Sequence, residues 1–171
     1  MRKIRLFIAS SLDGYIADKT GKVDWLFTDD DYGYSEFFNQ IDTLIMGNKT
    51  YQQILGFGEY PYPGKEAFVF SKMQHGEQDD HVKFVGEDLE NFIKNLRRSS
   101  GDDIWLVGGS QVIEFFMEKG FLDEIIIAIH PIILGDGIPL FSKNTNITQR
   151  LDLIDVKTYP SGLVQVYYLF C

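Results

Sequence analysis

The sequence predicts an α/β domain built on a central, mostly parallel sheet whose last strands run antiparallel. Three observations predict it. Short apolar runs of strand character alternate with helical patterns along the front of the chain, the order that a parallel sheet with crossover helices requires. Two of these runs end in glycine and pass straight into a helical pattern, at Thr43–Tyr51 and at Ile104–Ile113. The chain closes on two apolar stretches, Leu151 to Tyr159 and Leu163 to Phe170, around Pro160-Ser161-Gly162, which reads as a hairpin.

The elements follow in order. Ile4 to Ser10 is a strand, ended by the turn signal Asp13-Gly14. Tyr15 to Thr28 reads as a loop with a second turn at Thr20-Gly21-Lys22. Ser35 to Gln40 is a short helix with Ser35 as its cap. Leu44 to Met46 is a central strand and Thr50 to Leu55 a helix. Three glycines and two prolines make Gly56 to Gly64 a loop. Ala67 to Phe70 and Val82 to Val85 are strands. Leu89, Phe92, Ile93 and Leu96 recur at i, i+3, i+4 and i+7, one apolar helix face, and Ser99 to Asp103 ends that helix. Ile104 to Val107 is a strand, Gln111 to Glu118 a helix, Glu124 to Ile129 a buried strand and Pro131 to Pro139 a loop.

Composition bounds the function. The 171 residues, 44% of them hydrophobic, suit one domain spanning residues 1–171 with a sizeable core. A net charge of −9 argues against a nucleic-acid backbone or an anionic membrane as partner, since both need clustered Lys and Arg. The sole cysteine, Cys171, allows no intrachain disulfide and fits a reducing cytoplasm. The apolar stretch after Met1-Arg2-Lys3 is soon broken by Ser10, Ser11 and Asp13, too early for a signal peptide. No run approaches the roughly 18 apolar residues of a membrane span. His75, His81 and His130 show no metal-ligand spacing, so no metal is expected.

The two glycine junctions carry the chemistry. A glycine before a helix lets backbone N–H groups approach an anion at the helix N-terminus. At the first, Gly47 admits close approach, Asn48 to Thr50 offer amides and a hydroxyl, and Lys49 supplies charge. At the second, Gly108-Gly109-Ser110 follows Val107 and opens onto Gln111 and Val112. Two such junctions suggest one extended phosphate-bearing ligand held from two sides. Phe70-Ser71-Lys72 at another strand end could take a further phosphate. Neither a G-x-G-x-x-G fingerprint nor a Walker motif is present. Asp29, Asp30, Asp31 and Glu36 flank a helix bearing Phe37 and Phe38. A carboxyl beside aromatics can have a raised pKa and protonate a heterocycle, although an acidic first turn also complements the helix dipole.

Taken together, the ordered set Ala9–Ala17, Met46–Tyr51, Phe68–Ser71, Val107–Ile113, Leu122–Pro131, Leu134–Gly137 and Pro139–Phe141 resembles the dihydrofolate reductase-like superfamily. It is most similar to the branch shared with the reductase domain of bacterial riboflavin biosynthesis. The resemblance implies a three-layer α/β/α fold with a mostly parallel sheet and an antiparallel C-terminal strand. It implies NADPH as cofactor, with Ala9 and Ile16 near the nicotinamide and Gly47, Asn48, Lys49 and Thr50 on the phosphates. Ser71 would sit by the 2′-phosphate, and Gly108, Gly109, Ser110, Gln111 and Val112 would line the pyrophosphate, with Val107 among the cofactor-binding residues. Val107 stands where riboflavin-pathway reductases typically carry Glu, and neither Asp31 nor Glu36 matches the spacing of the pterin-holding acid.

The expected function is therefore NADPH-dependent hydride transfer to a small planar nitrogen heterocycle, a ribosylated aminopyrimidine or a pterin-like compound, with Glu36 or Asp31 as candidate acids. A non-catalytic NADP(H)-binding module is the alternative of another class. A homodimer is expected because related reductases often pair; the aromatic tail Tyr167-Tyr168-Leu169-Phe170 offers apolar surface that could equally be core.

Overall fold

The computed structural model describes residues 1–143 and 147–171. Strands β1 (Ile4–Ser11), β3 (Ile41–Gly47), β4 (Glu66–Phe70), β5 (Lys83–Val85), β6 (Asp103–Gly108) and β7 (Glu124–His130) join β9 (Leu151–Thr158) and β10 (Val164–Phe170) in one eight-stranded sheet, ordered β5-β4-β3-β6-β1-β7-β10-β9. The first six strands in that order are mutually parallel, and β10 runs antiparallel to both β7 and β9. Parallel neighbours need long crossovers, which α2 (Asn48–Gly56), α3 (Leu89–Arg98) and α4 (Ser110–Glu118) supply, while α1 (Tyr34–Asn39) precedes β3.

Strand alternation splits the core into two layers. Ile4, Leu6, Ile45, Ile104 and Leu106 face Phe92, Ile93 and Leu96 of α3 and Ile113 and Phe116 of α4. Leu44, Met46, Trp105 and Phe7 face Phe37 of α1 and Tyr51 and Ile54 of α2. The three-layer arrangement follows from this period of two on strands covered by helices on both sides.

Two expectations are corrected. Ser35 is not the cap of α1: the helix begins at Tyr34 after Gly33, and the Asp31 carboxylate accepts hydrogen bonds from Ser35 N (3.1 Å) and Ser35 Oγ (2.7 Å). The loops 15–28 and 131–139 each contain a short strand, β2 (Tyr15–Ala17) and β8 (Ile138–Pro139), paired antiparallel as a small second sheet. These segments are too short and too polar to show periodicity, and only their mutual pairing makes them strands. Of the two readings open for the aromatic tail, packing favours core: Tyr168 and Phe170 pack, half-buried, with the α3/α4 layer and Tyr167 with the α1/α2 layer.

Candidate functional site

The two glycine junctions lie side by side, because β3 and β6 are neighbours and both end at the same edge of the sheet. A Cβ on Gly47 would stand 3.0 Å from Val112 Cγ2 and 3.9 Å from Gly109 N, and a Cβ on Gly109 would stand 3.4 Å from Thr50 Oγ1. Close approach therefore favours glycine at position 47. Gly108 is required by conformation, with φ +121°, and its peptide to Gly109 is cis.

The helices that begin here share a second property. Neither α2 nor α4 has a side-chain cap or an acidic residue in its first turn, whereas α1 and α3 carry Glu36 and Glu90 there. The first amides of a helix have no intrahelical partner and a partial positive charge. Asn48, Lys49 and Thr50 on one side and Ser110, Gln111 and Val112 on the other thus direct two sets of free donors at one edge. Lys49 is exposed and forms no ion pair among the described residues. That donor set fits a diphosphate. Ser71 is half-buried after β4, its N–H bonded to Val85 O at 2.9 Å and its hydroxyl 3.4 Å from Gln74 Oε1.

The C-terminal end of β1 is roofed by the small second sheet. Asp13, read from sequence only as a turn residue, accepts hydrogen bonds from Ser11 Oγ (2.6 Å), Leu134 N (3.1 Å) and Gly135 N (2.8 Å). The Ser11 hydroxyl, followed by the Gly135 and Leu134 amides, holds its carboxyl below the usual range. Ser110 Oγ donates to Pro139 O, tying the start of α4 to this roof, and Gln53 of α2 donates to Gly21 O from the opposite side. Ala9 is half-buried beside Tyr32 and Ala128, while Ile16 packs with the α3/α4 layer near Leu140. Beyond them, His130 is buried at the end of β7 against the edges of Trp25 and Phe27 (5.3 and 5.0 Å between centroids), and burial lowers its pKa. Its packing gave no sequence signal, since it depends on a loop folding back.

An aromatic wall flanks the glycine junctions on the α1 face. Tyr34 stacks on Phe38 (5.4 Å, 21°) and Phe7 (6.4 Å, 27°), and Val107 packs in the same cluster. Desolvation, followed by the nearby Asp31 charge, pushes the Tyr34 phenol up to about 12, so at neutral pH it is a neutral donor.

The candidate acids lie on the exposed side of α1 and just before it. Asp31 is exposed, and its hydrogen bonds from the Ser35 side chain and backbone lower its pKa. The raised carboxyl pKa expected beside the aromatics is thus corrected at this residue: no apolar surface covers it. Glu36 is exposed and its charge acts on Lys157 of β9. No cluster of His, Cys, Asp and Glu among the described residues could hold a metal ion, and no helix among them is long and apolar enough to cross a membrane. Two surface concavities, around Arg97-Arg98 and around Tyr60-His81, lie away from the junctions, which form an open edge.

The profile of the RibD C-terminal domain matches residues 63–165, more than half of the chain. The chain belongs to the RibD C-terminal domain family. It is 39% identical to the uncharacterized protein YwjB of Bacillus subtilis (strain 168), over 98% of both chains. Among solved structures it is similar to a putative riboflavin biosynthesis protein from Shewanella sp. PV-4, with 31% identity, 99% of each chain covered and a TM-score of 0.88. It also superposes on a diaminohydroxyphosphoribosylaminopyrimidine deaminase/5-amino-6-(5-phosphoribosylamino)uracil reductase from Thermotoga maritima, with a TM-score of 0.76 and 19% identity. That match covers 99% of this chain and 57% of that one. The RibD-like fold is the dihydrofolate reductase-like arrangement that the ordered motifs imply, and the profile match supports the reductase family.

Proposed function

We propose that the protein is an NADPH-dependent reductase that passes hydride to a small, planar nitrogen heterocycle, a ribosylated aminopyrimidine of the 5-amino-6-(5-phosphoribosylamino)uracil type. The observation that carries this reading is the convergence of two uncapped, acid-free helix N-termini on touching glycines. Family membership supports reductase chemistry. The stacked Phe7, Tyr34 and Phe38 rings support a flat substrate, since aromatic faces favour offset stacking. A pterin is the alternative substrate on the same grounds.

NADPH supplies the hydride when bound. The amides of Asn48–Thr50 and Ser110–Val112, with Lys49, would hold its phosphates, and Ser71 its 2′-phosphate. Ala9 and Ile16 would supply apolar surface at the reacting end. Orienting two reactants against a rigid sheet edge provides most of the rate. Water reaching the open edge would supply the proton, because Asp31 is held ionised at neutral pH by its Ser35 bonds. Asp31 and Glu36 remain the acids to be tested by substitution.

Titration with NADPH and NADH, followed by quenching of Trp25 and Trp105 fluorescence, tests the reading. Micromolar NADPH binding with much weaker NADH binding is expected, and no binding of either would overturn it. The exposure of both Asp31 and Glu36 favours a second reading, a non-catalytic NADP(H)-binding module. Tight NADPH binding without stimulated NADPH oxidation by any pyrimidine or pterin would select it.

A further inference from the structure

A strip of the sheet on the α1 side lacks helix cover. Strand alternation sets Arg5, Phe7 and Ala9 of β1 on one face, and the register places Trp105 of β6 beside Arg5, with Val107 two residues on. Trp105 is 5% exposed, whereas Phe7, Ala9 and Val107 are half-buried. The length of α1 explains the difference. Its six residues extend about 9 Å, against about 26 Å for the eight residues of β1.

Helix α1 runs against β1. The Arg5 guanidinium lies 4.9 Å over the Phe37 ring, Phe7 meets Phe37 at 4.8 Å and Tyr34 at 6.4 Å, and Ala9 packs by Tyr32, ahead of the helix. Tyr34, the first residue of α1, is therefore the end of the helix that faces Ala9, Val107 and the glycine junctions.

The Tyr34 phenol differs from others near this face. Tyr32, Tyr51 and Tyr167 donate their hydroxyls to Asp29, Asp79 and Gln165 at 2.7, 2.6 and 2.6 Å. The Tyr34 hydroxyl makes no hydrogen bond among the described residues, although burial has stripped it of much of its water. A desolvated donor is costly to leave unmatched. Phe7, Ala9 and Val107 have no polar side-chain atom, so this hydroxyl is the polar group that the strip offers a ligand.

We propose that the Tyr34 hydroxyl determines specificity by donating a hydrogen bond to a ring oxo group of the heterocycle, selecting oxo-bearing rings over their amino counterparts. This rests on the reading of the site as a heterocycle reductase and adds the group that reads the ring. Stacking on Phe7 and Phe38 favours any flat ring and does not tell oxo from amino. A ring C=O accepts from the phenol. An amine in its place is itself a donor, and the phenol proton is left without an acceptor. A site built to hydrogen-bond a substrate group rejects the analogue that lacks it.

Calorimetric titration of the full chain with 5,6-diaminouracil and with 2,4,5,6-tetraaminopyrimidine tests it. The two rings share a shape and differ in the oxo groups that amines replace. The wild type is expected to bind the uracil at least about 10-fold more tightly. Tyr34→Phe, which removes the hydroxyl and keeps the ring, is expected to weaken the uracil about 10-fold, the scale of one hydrogen bond, and to leave the tetraamine unchanged. Its thermal midpoint and NADPH titration should match the wild type. Tyr34→Leu should weaken both rings together through lost stacking. A wild type without the preference, no binding of either ring, or a Tyr34→Phe variant that keeps the preference would overturn the inference. The NADPH titration reads separately: its failure in the wild type overturns the reductase reading, whereas intact NADPH binding with an unchanged ring preference in Tyr34→Phe overturns the role of Tyr34 alone.

Discussion

Gly47 and Val112 meet across the two junctions: the place where a Cβ on Gly47 would sit is 3.0 Å from Val112 Cγ2. The ends of β3 and β6 can lie side by side, with α2 and α4 starting together, because the side chain of one fits where the other has none. Gly47→Ala should therefore weaken NADPH binding about 10-fold by shifting the start of α4 (isothermal titration). The double variant Gly47→Ala/Val112→Ala should recover a substantial part of that loss, since it removes the clash. Equal losses in the single and double variants would show that the contact does not set the spacing of the junctions.

Lys49 is the charge at the junctions without a protein partner among the described residues. Lys49→Ala should raise the NADPH dissociation constant by about 5- to 10-fold, the scale of one charge-assisted contact. It should also flatten the salt dependence of binding. An unchanged constant at low ionic strength would remove Lys49 from the phosphate site.

Asp31→Asn and Glu36→Gln should each leave turnover within about 3-fold of wild type if water supplies the proton. A loss of about 100-fold or more, the low end of general-acid contributions, would assign that variant's residue as the acid. The pH profile of kcat separates the two outcomes, because loss of a titrating acid removes one limb.

Asp13 links the roof to stability in acid. Its folded pKa lies below its unfolded value, so its stabilising contribution is complete above about pH 4 and is lost as pH falls through the folded value. Thermal unfolding from pH 7 to 3 should show the midpoint falling below pH 4. Asp13→Asn should start lower at pH 7 and fall less steeply. Parallel slopes would show that other carboxylates govern the transition.

Gly86 is a tighter constraint than any of the junction glycines. A Cβ there would lie 2.3 Å from Ser71 O and 2.7 Å from Lys72 Cα, both backbone atoms that cannot rotate away. Gly86→Ala should destabilise by about 1–3 kcal/mol in urea unfolding and displace Ser71. The expected mark of that displacement is a smaller NADPH/NADH preference in the fluorescence titration.

The sequence by itself determined the alternation of strands and helices, the parallel sheet with an antiparallel close, and both glycine junctions. Each rests on short-range information: period two or 3.6 in apolar residues, and glycine where backbone must come close. Tertiary structure decided what depends on distant segments meeting. β2 and β8 are strands only because they pair with each other, and Asp13 is a clamp only because residues 134 and 135 return to it. Gly86 carried no local signal because its constraint is the carbonyl of Ser71, fifteen positions away.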